Sequence, residues 1–259
     1  MALISQLPRR IRLLLGVLAI NLVIFSGLRF AFWIAFHTPD NPISIDILLK
    51  SFFIGFKFDL RLALLLVFPM LILSWIPGIN PVHSSKGRQF WAFHLSILIS
   101  IIILFYFIDF GNYAYLEERA DASTLRYFQN PVISLRMVWE TYPVIWGISS
   151  LLVFGVLYCL VLRKLMSKSM KGESTFPARW KKILIISLST ILYLSGIYGK
   201  ISYYPLRWSD AFSTTHRFAS DLALNPVLYF FDTLCTAEDT KYEKQEVNKY
   251  YDKMVSYWE

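Results

Sequence analysis

The chain has 259 residues, with 26 Lys+Arg against 18 Asp+Glu for a formal net charge of +8, yet charged residues make up only 17% of it while hydrophobic residues reach 56%. A soluble domain carries about one quarter charged residues and a disordered chain needs low hydrophobicity, so the composition argues against the first and excludes the second. Cys159 and Cys235, far apart in sequence, make neither a disulfide framework nor a metal cage.

The apolar residues are gathered in blocks, and a bilayer core of about 30 Å is crossed by roughly 20 mostly apolar helical residues. The first block, Leu13 to Phe36, is apolar apart from Asn21 and Arg29 and is predicted to span over 13–36. It follows Arg9, Arg10 and Arg12 as a secretory signal would, but no small-x-small cleavage site follows it, so it reads as a retained helix. From Asp46 to Arg61 the charges Asp46, Lys50, Lys57 and Arg61 share one helical stripe, which predicts an amphipathic helix entering a second span, 58–77, from outside. Asp59 sits opposite that stripe among aromatics, where an acid needs a partner or a polar cavity. The third span is predicted over 89–110, with His94 its only ionisable residue before Asp109; the fourth over 142–162; the fifth over 183–200.

The expected architecture is therefore all-α: a polytopic membrane protein with five transmembrane helices in residues 1–200, followed by extracytoplasmic interfacial helices in 201–236. In that second segment Ser209 or Asp210 is expected to cap a helix running through Arg217. The run Leu222 to Phe231 is too short to cross and contains Pro226, so it is expected to lie in the outer interface. Residues 237–259 read as an amphipathic linker helix whose apolar face, Val247, Tyr250, Met254 and Trp258, docks a further domain. No Gly, Asn or Pro stop signal precedes Trp258-Glu259, which suggests a cut inside a linker.

Lys and Arg in short loops favour the cytoplasm. They gather before the first span, at Lys86 and Arg88 between the second and third, and at seven positions from Arg163 to Lys182 between the fourth and fifth. All three places fall on one side, so the N-terminus is expected inside and the C-terminus outside. The basic excess then reads as topology signal and anionic-lipid contact, and nucleic acid is not an expected partner.

Arg29, Asp59, Arg61, Asp109 and Arg119 all reach the outer level. Two readings stay open: ion pairs that are purely structural, or a polar cup in which arginine forks engage the phosphate of a lipid headgroup.

Three strings carry a family resemblance: Gly55-Phe56-Lys57-Phe58-Asp59-Leu60-Arg61, the stretch from Asp109 through Tyr113 to Arg119, and Arg207-Trp208-Ser209-Asp210-Ala211-Phe212 running on to Leu222-Ala223-Leu224-Asn225-Pro226-Val227-Leu228. In this order they resemble the membrane half of bacterial lipoteichoic acid synthase-like proteins, and the likeness covers nearly the whole chain to Leu234. The resemblance implies a bacterial cytoplasmic (inner) membrane location and a phosphatidylglycerol-like lipid partner. It also implies a missing C-terminal catalytic domain of the sulfatase/alkaline phosphatase type, which holds a divalent metal, Mn or Mg, and transfers phosphoglycerol.

The present residues offer none of that chemistry. His37, His83, His94 and His216 fall on opposite sides and within a span, and no G-x-S-x-G elbow, phosphate loop or HExxH occurs. No catalytic residue, metal site or cofactor is therefore expected in this chain. A membrane anchor for a sulfuric ester hydrolase and a non-catalytic scaffold subunit remain alternatives. A transporter is disfavoured, because no repeated or Gly/Pro-broken spans stand at matching positions.

Overall fold

The computed structural model describes residues 8–39, 42–170, 179–237 and 250–251. In chain order these residues form the α-helices α1 Arg9–Phe36, α2 Ile45–Leu73, α3 Ser85–Leu116, α4 Pro131–Thr141, α5 Val144–Met170, α6 Arg179–Tyr198, α7 Arg217–Ala223 and α8 Pro226–Ala237. Short 3-10 turns, Pro77–Ile79, Ala122–Gln129 and Trp208–Ala211, join them, and no strand occurs among the described residues. The described residues are all-helical, as the apolar blocks led one to expect.

Three of these helices, α1, α3 and α5, are long and apolar enough to cross a membrane. α2 is as long, at 29 residues, but carries Lys57, Asp59 and Arg61 near its middle. Its apolar part ends at Leu73, short of the expected 77, because Pro77 opens the following turn. The apolar part of α6 is Ile183–Tyr198.

Each long helix buries one stripe. In α1 this stripe is Leu13, Val17, Asn21, Phe25, Arg29 and Phe32; in α5 it is Tyr158, Leu162, Met166 and Ser169. The spacing of three and four residues is that of one helical face. Trp91, Leu95 and Ile99 of α3 complete the interior, with Phe25 stacked on Tyr106. Association in lipid rests on close packing and on polar contacts, since lipid tails are as apolar as the core. Both are present: Tyr158 Oη donates to Asn21 Oδ1 at 2.7 Å, joining α1 to α5. Gly155 of α5 lets Ser100 of α3 approach so closely that a Cβ there would stand 2.8 Å from its Oγ.

The basic ends of the helices lie together. Arg10 at the start of α1 covers the Trp75 ring beyond the end of α2, and Leu165 near the end of α5 packs on Gly16. Arg29 lies 20 residues along α1 from Arg9, hence about 30 Å away by helical rise. At that opposite end α7 and α8 close over the bundle, with Phe32 and Tyr113 packed on Leu222, and Phe58 on Leu206, Ala223 and Leu224.

The expected cap at Ser209 or Asp210 is corrected. Those residues belong to the 3-10 turn Trp208–Ala211, and α7 starts only at Arg217, where His216 Nδ1 accepts from Ala219 N at 3.4 Å. The chain turns between them, and an imidazole nitrogen offers the same acceptor as a hydroxyl. Pro226 takes the first position of α8, where its missing N–H costs nothing.

Candidate functional site

Arg29, Asp59, Asp109 and Arg119 meet beneath the connection between α7 and α8. Arg29 is buried and uses every donor it has. Its Nε donates to Asp59 Oδ2 at 2.9 Å and Nη2 to Asp59 Oδ1 at 2.7 Å and to the Gly55 carbonyl at 3.0 Å. Nη1 donates to the Leu224 carbonyl at 3.1 Å and also to that of Leu222. A guanidinium has five N–H groups, so none is left for a ligand. Gly55 makes this approach possible, because a Cβ there would collide with the guanidinium itself.

Asn225 extends the network from the other side. Its Nδ2 donates to Asp59 Oδ1 at 3.0 Å and to Tyr106 Oη at 2.9 Å, while its Oδ1 accepts from Leu228 N at 3.4 Å and so caps α8. Arg119 forms the second buried pair: Nη1 donates to Asp109 Oδ2 at 2.5 Å and Nη2 to the Leu224 carbonyl at 2.9 Å. Ala120 N donates to Asp109 Oδ1 at 3.0 Å, and the Arg119 guanidinium lies 4.0 Å from the Phe32 ring centre. Both arginines therefore converge on one carbonyl, that of Leu224. Buried charges need such pairing, since desolvation of either alone costs several kcal/mol.

Next to this lock, Tyr113 Oη donates to Asp221 Oδ2 at 3.3 Å. Burial pushes the Asp221 carboxyl up to about 6, against the pull of Arg119 and Arg217.

Arg61, the fifth residue of the expected cup, stands apart. Its Nη1 donates to the Leu206 carbonyl at 2.5 Å, on the flank of α2 that faces residues 200–213. There Lys200 Nζ bridges both Asp210 oxygens at 2.6 and 2.8 Å, and Arg207 N donates to Asp210 Oδ2 at 2.8 Å. Burial of Asp210 alone would raise its pKa, but these donors and the nearby Lys57 outweigh it and hold the carboxyl below its ordinary value. On the other flank of α2 a groove of about 310 Å³ opens against α1, lined by Ser26, Arg29, Phe52, Phe53, Phe56 and Asp59.

Four of the five residues picked from the sequence are thus brought together. Asn225, Tyr106 and the Gly55, Leu222 and Leu224 carbonyls escape sequence reasoning, because amides, phenols and main chain carry no charge to betray them in an apolar run. Of the expected docking face, Val247, Met254 and Trp258 lie outside the described residues, and Tyr250 is exposed. Among the described residues no group of three or more His, Cys, Asp or Glu stands ready to hold a metal ion. No family model matches the chain, nor does any curated protein or solved structure.

Proposed function

We propose that this chain is the membrane domain of a lipoteichoic acid synthase-like phosphoglycerol transferase, holding phospholipid for an extracytoplasmic catalytic domain that carries the metal and the nucleophile. One observation supports the reading above the others. The strings that carry the family resemblance, 55–61, 109–119 and 207–228, lie far apart in sequence, yet Gly55, Asp59, Asp109, Arg119, Leu222, Leu224 and Asn225 belong to one buried network. A motif set with a common structural purpose would behave so. The network seats α7 and α8 rigidly on the outer end of the bundle, where a following domain needs a fixed platform.

In this reading α2 and α6 also span, making five. Asp59 is neutralised by Arg29, and the remaining charges of α2, Asp46, Lys50, Lys57 and Arg61, run from its outer end to its middle. The 20 residues of α6 reach about 30 Å. The protein sits in the bacterial cytoplasmic membrane with the arginine-rich end inside. Cysteines introduced singly at Ser167 and Ser123, both exposed, test this in a background without Cys159 and Cys235. An impermeant thiol reagent applied to intact cells should label position 123 and spare position 167; the reverse pattern overturns the orientation.

The division of labour is tested with purified chain, labelled phosphatidylglycerol and manganese or magnesium. The 259-residue chain should bind the lipid but release no diacylglycerol. Metal-dependent release by this chain would place the chemistry here, contrary to the proposal, and failure to bind the lipid would remove its role in presenting it.

A further inference from the structure

The two sets of arginines at the outer end differ in their charge balance, not in orphaned donors: Nε of Arg119 in the lock and Nε of Arg61 in the seam are both buried without a hydrogen-bond partner. In the lock, two guanidinium groups face two carboxylates and Arg29 has no N–H to spare. A phosphate arriving there would have to displace protein acceptors and strand a buried acid. Along the seam between α2 and the turn Trp208–Ala211 the balance is otherwise.

Four cations, Lys57, Arg61, Lys200 and Arg207, stand there against two carboxylates, Asp210 and Asp232. Lys200 is committed to Asp210. Asp232 lies near the Trp208 main chain and in the field of both Arg61 and Arg207. Arg61 spends Nη1 on the Leu206 carbonyl, while its Nε is buried without a hydrogen-bond partner. Arg207 is exposed and lies over the Tyr204 ring at 4.8 Å, and Lys57 lies over Phe53 at 4.5 Å. Two positive charges are left over, together with an orphaned buried donor. Arginine presents its donors in a planar fork that matches phosphate oxygens, and a charge-assisted contact of this kind is about twice as strong as a neutral one.

Lys57 and Phe53 lead from this seam round α2 to the groove on its other flank. Phe53, which carries Lys57, is also a lining residue of the groove between α1 and α2, and both Phe53 and Phe56 are exposed. A diester with an attached acyl chain fits cations beside such a groove; a free diester would use the cations alone.

Resting on that reading, we propose that Lys57, Arg61 and Arg207 form the phosphodiester site for an anionic phospholipid of the outer leaflet, with one acyl chain lying along the Phe52, Phe53 and Phe56 groove. The headgroup then sits beside the lock and outside it. The site would favour a net-negative headgroup over a zwitterionic one, because a choline brings a third positive charge to a place that already has two in excess.

The test uses purified 259-residue chain in detergent, with bound lipid counted by native mass spectrometry during titration with phosphatidylglycerol, phosphatidylcholine or the water-soluble diester glycerophosphoglycerol. Wild type should prefer phosphatidylglycerol over both others. Arg61→Gln/Arg207→Gln should weaken phosphatidylglycerol binding about tenfold or more, leave phosphatidylcholine unchanged, and flatten the salt dependence. Arg126→Gln/Arg136→Gln, an equal loss of two charges at exposed positions, should change nothing, and Lys57→Gln with Arg207→Gln serves if Arg61→Gln fails to fold. Binding of phosphatidylglycerol that both double variants leave intact overturns this site while sparing the wider reading. No phosphatidylglycerol binding by wild type overturns both, and equal binding of the soluble diester overturns a lipid as the ligand.

Discussion

Arg29→Met should destabilise the folded bundle by roughly 3–5 kcal/mol, the cost of stripping one partner from a buried ion pair. Asp59 would be left buried with only Asn225 donating to it, and the Leu222 and Leu224 carbonyls would lose the donor that reaches them from α1. Arg29→Lys should recover little of this, because an ammonium has three donors on one atom and cannot fill acceptors spread over α2 and the end of α7. Arg29→Met with Asp59→Leu should recover much more, since no charge is then buried alone. Unfolding in detergent micelles followed by helical circular dichroism measures each. An Arg29→Met variant within about 0.5 kcal/mol of wild type would show that the pair does not hold the outer cap in place, that being the spread of ordinary surface substitutions.

Gly55→Ala should cost nearly as much, for a reason that helix propensity would invert. Alanine is the better helix former by about 1 kcal/mol, and in an exposed helix the change would stabilise. Here the new methyl group enters the space of the Arg29 guanidinium, whose five hydrogen bonds prevent it from simply swinging aside. The lock must open, at a cost of about 2–4 kcal/mol from lost pairing. The decisive measurement is a double-mutant cycle. Placed in the Arg29→Met/Asp59→Leu background, Gly55→Ala should become neutral or mildly stabilising, with a coupling of at least about 2 kcal/mol between the sites. Purely additive effects would mean that the glycine serves some purpose other than admitting the arginine.

The all-helical character, three helices α1, α3 and α5 long and apolar enough to cross a membrane, and the placing of Arg29, Asp59, Asp109 and Arg119 at one level were legible from the chain, because a run of about 20 apolar residues and a charge inside it are each costly to explain otherwise. α4 was not. Its eleven residues form a helix starting at Pro131 with no buried side chain, too short and too mixed in character to stand out beside the spans. Nor could hydrophobic periodicity say which face of α1, α3 or α5 turns inward. Lipid and protein interior are both apolar, so the two faces of a spanning helix look alike, and only the polar exceptions such as Asn21 and Asp109 mark the buried stripe.

Partner choice was decided by the tertiary structure alone. From the sequence, Asp59 could pair with Arg29 or with Arg61, one 30 residues away and the other two. A helix turns by about 100° per residue, so Arg61 is carried some 200° around α2 from Asp59 and faces the 206–213 segment, while α1 brings Arg29 to the acid. The Leu224 carbonyl, 195 residues from Arg29, then joins this pair to Arg119. Residue type and spacing determined that these charges would sit at one end of the bundle, opposite the arginine-rich start of α1. Which of them neutralise one another, and which are left over to meet a phosphate, follows from how the helices pack, since a charge buried in a low-dielectric interior settles on whichever opposite charge the fold places within a few ångströms.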